Sequence, residues 1–217
     1  MTKDKITIDK GIISLQSKIG LPDDFFKNLL NEDDWSFIIK LHALIESIVT
    51  SLIVFHFNEP NIKSVISRLE MSNRTTGKLA FLKATGLLGA NNLKYIYALS
   101  ELRNKFVHSI ESCSISLPDW ISKFDSNQMK SFALSFGPLE STILDINKKV
   151  KTKGHDFLID GKINSGDIVA RAKINPKFHI WIGAYNLLVA IADSYYYSDY
   201  LQSIKANKLD DEEREIL

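Results

Sequence analysis

The sequence predicts a mainly α-helical protein built as one domain, and three observations carry that prediction. Apolar residues recur at three- and four-residue spacings over most of the chain, the period of a helix face rather than of a strand. Capping residues stand in front of those runs: Asp23 and Asp24, Asp33 and Asp34, Asn91 and Asn92. Only one short stretch, "FLIDGKIN" at 157–164, carries a strand signal: an Asp-Gly turn between apolar residues that suggests a small β-hairpin.

Residues 23–31 read as a short helix with an apolar face of Phe25, Phe26, Leu29 and Leu30. The clearest helix starts at Asp33 or Asp34 and places apolar residues at Phe37, Ile38, Leu41, Ile45, Ile48, Leu52 and Phe55. It is apolar over most of its circumference and belongs at the centre. His42, Glu46 and Thr50, spaced i, i+4, i+8, form a polar stripe on it. Glu59-Pro60-Asn61 opens a helix running to about Met71 that buries Ile62, Val65, Ile66 and Leu69. The next covers 76–89, with Gly89 as its terminating glycine. Asn91 or Asn92 then caps a helix from Leu93 to about Ser109, burying Leu93, Ile96, Leu99, Leu102, Phe106 and Ile110. A short helix follows around Trp120, then one at about 127–150 with a kink at Gly137-Pro138. Residues 151–175 break the helical pattern. The last long helix, about 176–205, begins at Pro176 and carries a cluster of Tyr195, Tyr196, Tyr197 and Tyr200, read as packing or interface. The acidic tail reads as a solvated helix end. Neither an internal repeat nor a low-complexity linker interrupts the chain, so 1–217 is expected to be one domain.

Composition narrows the function classes little. The 217 residues are 45 % apolar and 24 % charged, as in ordinary soluble proteins, and 27 basic against 26 acidic side chains point to no partner. Cys113 is the sole cysteine, which rules out an internal disulfide and fits a reducing cytoplasm. The charged N-terminus lacks a following apolar stretch, so no signal peptide is expected. The apolar run 35–57 contains Lys40, His42 and Glu46, costly in lipid. The run from Phe178 to Ala192 is shorter than the ~20 residues a span needs. No membrane segment and a cytoplasmic location are the expectations.

The sequence lacks G-x-x-x-x-G-K-[ST], H-E-x-x-H and G-x-S-x-G, and has no G-x-G-x-x-G after a strand. No spacing of His and carboxylates looks like a metal site, and no cofactor is expected. By elimination, the polar groups of "RNKFVH", Arg103, Asn104 and His108, are the leading candidates for chemistry.

Those six residues match the R-x(4–6)-H motif of the HEPN superfamily, including the preferred polar residue after the Arg. The order "DWSFIIKLHALIESIVTSLI", "GKLAFLKATGLLG", "LSELRNKFVHS" resembles the mannitol-repressor-like branch of that superfamily over roughly 30–112, leaving 113–217 as a helical extension. The resemblance implies an up-and-down helical bundle that dimerises and joins two motifs in one cleft. In active members that cleft is a metal-independent endoribonuclease; in others it is a binding surface. HEPN toxins that pair with a nucleotidyltransferase have Tyr two residues after the His, where this chain has Ile110.

The residue chemistry suits RNA cleavage. His108 can exchange protons near neutral pH. Arg103 offers a charged planar fork to phosphate oxygens. Asn104 can orient the His or bond the phosphate. Arg103 and His108 lie about 140° apart on a regular helix, so they converge only if Arg103 reaches around, the helix end unwinds or a second copy completes the site, the last being slightly favoured. The competing reading is an ordinary helix C-terminus, where basic groups complement the carbonyl ends. Glu46, with His42, either faces the motif and supports Arg103 or is a polar stripe meeting a neighbouring helix. His56, His155 and His179 read as structural or surface residues.

Residues 148–177 hold eight Lys or Arg against three Asp. Lys148, Lys149, Lys151 and Lys153 are either a solvated surface or a phosphate-tracking patch. The expected function is a HEPN endoribonuclease, a toxin or antiviral-defence effector acting on RNA as a homodimer. The rivals are a catalytically silent mannitol-repressor-like regulator binding a protein partner, and an antitoxin-like or scaffold subunit.

Overall fold

The computed structural model describes residues 9–108, 116–137 and 165–216, with backbone alone at 165 and 205–216. Among them every regular element is helical. The α-helices are α1 (Lys10–Lys18), α2 (Phe25–Asn28), α3 (Asp34–Phe57), α4 (Lys63–Ile66), α5 (Lys78–Ala84), α6 (Ala90–Val107), α7 (Leu117–Ser122), α8 (Ser126–Phe136), α9 (Ser165–Ile174) and α10 (Pro176–Ile216). Short 3-10 turns follow α2 and precede α4.

The expected central helix is α3. Asp33 caps it by accepting from the Ser36 N–H at 2.8 Å, and Phe37, Ile38, Leu41, Ile45, Ile48, Leu52 and Ile53 are fully buried along it. By length and composition α3 could cross a membrane, but in the fold its apolar residues pack against α6 and α10. The α3–α6 pair is antiparallel: the Trp35 indole donates to the Phe106 carbonyl (3.0 Å), while His42, two turns further along α3, meets Ser100. The start of α3 is also tied to the rest of the chain. Asp34 accepts from the Leu117 N–H at 2.6 Å and pairs with Lys177 at 2.8 Å, joining α7 and α10 to it. Trp181 of α10 donates to the Phe26 carbonyl and stacks on the Phe26 ring at 4.7 Å. Truncating such a buried aromatic costs about 3–5 kcal/mol.

Several boundaries differ from those read in the sequence. The segment after Glu59 is helical only to Ile66, and Val65 is exposed rather than buried. The reason lies in Lys78, fully buried, whose ammonium takes the carbonyls of Leu69 (2.8 Å) and Ser67 (3.4 Å); a continuing helix would have occupied them. The terminating glycine of α5 is Gly86 (φ +67°), not Gly89, because the left-handed turn comes as soon as Thr85 bonds back to the Phe81 carbonyl. Gly89 instead stands at the N-cap of α6, which begins at Ala90, and neither Asn91 nor Asn92 caps it. Helix α8 runs to Phe136, where Gly137 takes an extended conformation as its C-cap; residues 138–150 of the expected helix lie outside the described residues. Residues 165–174 form a helix where the pattern looked broken: Ile168 and Ala172, one turn apart, seal it against α8. The expected hairpin, Pro138, Ile110, Cys113, His155, and Lys148, Lys149, Lys151 and Lys153 lie outside the described residues.

Candidate functional site

Helix α6 decides where the motif points. Leu99, Leu102 and Phe106 are buried against the core and set the helix's rotation. At 100° per residue, Tyr97, Asn104 and His108 then fall within about 40° of one another on the outward face. Asn104 is half-exposed and His108 exposed, in agreement with that placement. Arg103 sits on the flank towards α3. Its Nη1 donates to Asn104 Oδ1 at 3.1 Å, so two of the three motif side chains are in contact within one chain. His108 is the C-cap, its N–H bonded to the Asn104 carbonyl at 3.1 Å. The i, i+5 spacing on α6 puts Arg103 and His108 about 140° apart around the helix.

Beneath the motif lies a polar chain linking three helices. His42 Nε2 is 3.1 Å from Ser100 Oγ, and the Ser100 hydroxyl donates back to the Ile96 carbonyl at 3.0 Å. Ser100 therefore accepts from His42, which puts the imidazole proton on Nε2 and leaves Nδ1 facing Glu46 Oε2 at 3.8 Å. Glu46 Oε1 takes Lys78 Nζ at 2.7 Å. With the two carbonyls from the preceding segment, all three ammonium protons of the buried Lys78 have acceptors. Glu46 thus supports Lys78 and not Arg103. The neighbouring-helix reading of the stripe describes it best: His42 meets α6, Glu46 meets α5, and Thr50 bonds back to the Glu46 carbonyl at 2.8 Å.

Burial holds the His42 imidazole below its ordinary range; Glu46 pulls the other way, and the charges of Arg103 and Lys78 reinforce burial. Arg103 is therefore close enough to His42 for its charge to matter. His42, Ser100 and Glu46 are the residue types of a nucleophilic triad. Ser100, however, is 3 % exposed and its proton is committed to a helix carbonyl, so it is no nucleophile. Among the described residues no group of three or more His, Cys, Asp or Glu converges as a metal-ligand set.

His179 and His56 behave as structural groups. His179 is buried and its Nε2–H donates to the Ala133 carbonyl at 2.9 Å; His56 Nδ1 is 3.1 Å from Ser198 Oγ. In the tyrosine cluster only Tyr195 is buried, while Tyr196, Tyr197 and Tyr200 are exposed. Ser100 and Lys78 were not singled out in the sequence. Ser100 carried a weak signal, four residues before Asn104 on the motif helix. Lys78 carried none, because a lysine in an amphipathic run reads as solvated. Comparison with family models, curated proteins and solved structures finds no match for the chain.

Proposed function

We propose that the chain is a metal-independent endoribonuclease of the HEPN type, a toxin or antiviral-defence effector working through a site shared by two copies. The observation that supports this most is the solvent-accessible end of α6, where Arg103 contacts Asn104 and the His108 side chain is exposed one turn beyond Asn104. RNA brings its own nucleophile, so few groups are needed. His108 accepts the proton of a ribose 2′-OH as that oxygen bonds to the adjacent phosphorus. Arg103 offsets the charge growing on the non-bridging oxygens. The 5′-oxygen leaves with a proton from a second acid, the His108 of the other copy, giving a 2′,3′-cyclic phosphate and a free 5′-OH. The roughly 140° between Arg103 and His108 makes a one-copy site awkward and a shared cleft workable.

A catalytically silent regulator that binds a protein partner is the second reading. It draws support from the same helix end, since a basic group there also complements the terminal carbonyls. Incubating the purified chain with single-stranded RNA and mapping the product ends separates the two. Cyclic-phosphate ends are expected; intact RNA, or 5′-phosphate products, would reject the nuclease.

A further inference from the structure

Outside the motif, one exposed cation is held in a fixed pose on the same helix face. The Arg74 guanidinium lies over the Tyr97 ring, its Cζ 3.8 Å from the ring centroid, and the Arg74 side chain is exposed. Tyr97 is half-buried on α6, seven residues before Asn104, so the two stand about 10 Å apart along one face. The loop carrying Arg74 is fixed on both sides. Asn73 Oδ1 accepts from the N–H groups of Thr75 and Thr76 and from the Thr75 hydroxyl, each at 2.9 Å. Beyond them, Gly77 packs so closely that a Cβ would sit 2.2 Å from the Glu70 carbonyl oxygen. Arg74 is thus placed before any ligand arrives, and among the described residues its guanidinium N–H groups have no hydrogen-bond acceptor.

Resting on the nuclease reading above, we propose that Arg74, stacked on Tyr97, is a strand-anchoring residue for single-stranded RNA. It holds a backbone phosphate a few nucleotides from the one cut at the Arg103–His108 end of α6. A planar guanidinium backed by an aromatic ring keeps its N–H edges aligned for phosphate oxygens at low entropic cost. The line Arg74, Tyr97, Asn104, His108 gives the strand its direction along α6. Glu101, exposed on the same face between Tyr97 and Asn104, is a repulsive neighbour, and Glu70, whose carboxylate accepts from Ser72, lies in the same loop as Arg74.

The test uses the full chain with a short single-stranded oligoribonucleotide and a dinucleotide, measuring binding by fluorescence anisotropy at several salt concentrations alongside cleavage. Arg74→Ala is expected to raise KM for the oligomer about tenfold, the size of one lost charge-assisted contact, with kcat and dinucleotide cleavage unchanged. The slope of log affinity against log salt should fall in magnitude by about 0.7, one phosphate's worth for a single strand. Arg74→Lys should keep that slope while losing part of the affinity, and Glu101→Gln should tighten binding. If Arg74→Ala leaves both KM and the salt slope of a cleaving enzyme unchanged, the anchor is wrong and the nuclease stands. If Arg74→Ala lowers the slope of a chain that binds RNA but never cuts it, the anchor stands and the nuclease is wrong. A wild-type chain that does not bind RNA overturns both.

Discussion

His42 Nε2 lies 3.1 Å from Ser100 Oγ, and that contact joins the central helix α3 to the helix ending in Arg103, Asn104 and His108. A buried neutral imidazole, rather than a carboxylate, sits behind the motif.

That neutrality gives the fold a pH dependence. Burial lowers the pKa of His42, and of His179, below the ordinary 6.5. Just below pH 6.5 the unfolded chain therefore binds protons that the native chain does not. Stability rises with pH across that window and is lost as pH falls through it, down to the folded pKa values. Urea unfolding from about pH 7.5 to about pH 5.5 should show a falling midpoint, with the fall reduced in His42→Gln. A midpoint constant over that range would contradict the buried neutral assignment.

Lys78 is the most exposing test of the packing. Replacing it with Met strands the Glu46 carboxylate and the Leu69 carbonyl beside an apolar side chain. Breaking a buried pair costs about 3–5 kcal/mol, and water reaching the partly exposed Glu46 puts the loss at the lower end. Adding Glu46→Gln should recover part of it. A Lys78→Met protein as stable as wild type would mean that the buried ammonium is not where the structure puts it.

How much of this could be read from the residues depended on whether a side chain followed its usual partition. Helices α3 and α6 were legible because Phe37, Ile38, Leu41 and Leu99, Leu102, Phe106 repeat at helical spacing, and that spacing already implied the wide angle between Arg103 and His108. The Lys78–Glu46 pair was hidden, since nothing local tells a buried lysine from a solvated one. Helix α9 was hidden because ten residues with two sealing apolar positions look like a loop until α8 and α10 cover them. Gly86 and Gly89 are equivalent in the sequence; only the backbone dihedrals separate them.

A site shared between copies predicts a dominant effect on mixing. The proposed step uses the His108 of both copies, so a mixed dimer of wild type and His108→Ala should be inactive, and excess His108→Ala chain under subunit-exchange conditions should lower the activity per wild-type chain. Light scattering should report a dimer. Full activity in a monomer at micromolar concentration, or activity per wild-type chain unchanged on mixing, would return the site to one chain or to none.

The proposed step uses only a proton acceptor, a proton donor and fixed positive charge. Cleavage should therefore continue in excess EDTA. Loss of activity on chelation, restored by Mg²⁺ or Mn²⁺, would put the chemistry elsewhere.

The most direct measurement sets RNA cleavage by wild type, His108→Ala and Arg103→Ala beside their thermal melts. His108→Ala removes the proton-transfer group and should cut the rate about 10²–10⁴-fold. Arg103→Ala removes transition-state charge stabilisation and should cost about 10²–10³-fold. Both proteins should melt close to wild type, because the His108 side chain is exposed and that of Arg103 only partly buried. Mutants that keep full activity while losing about 0.3–1 kcal/mol of stability would make "RNKFVH" an ordinary helix end.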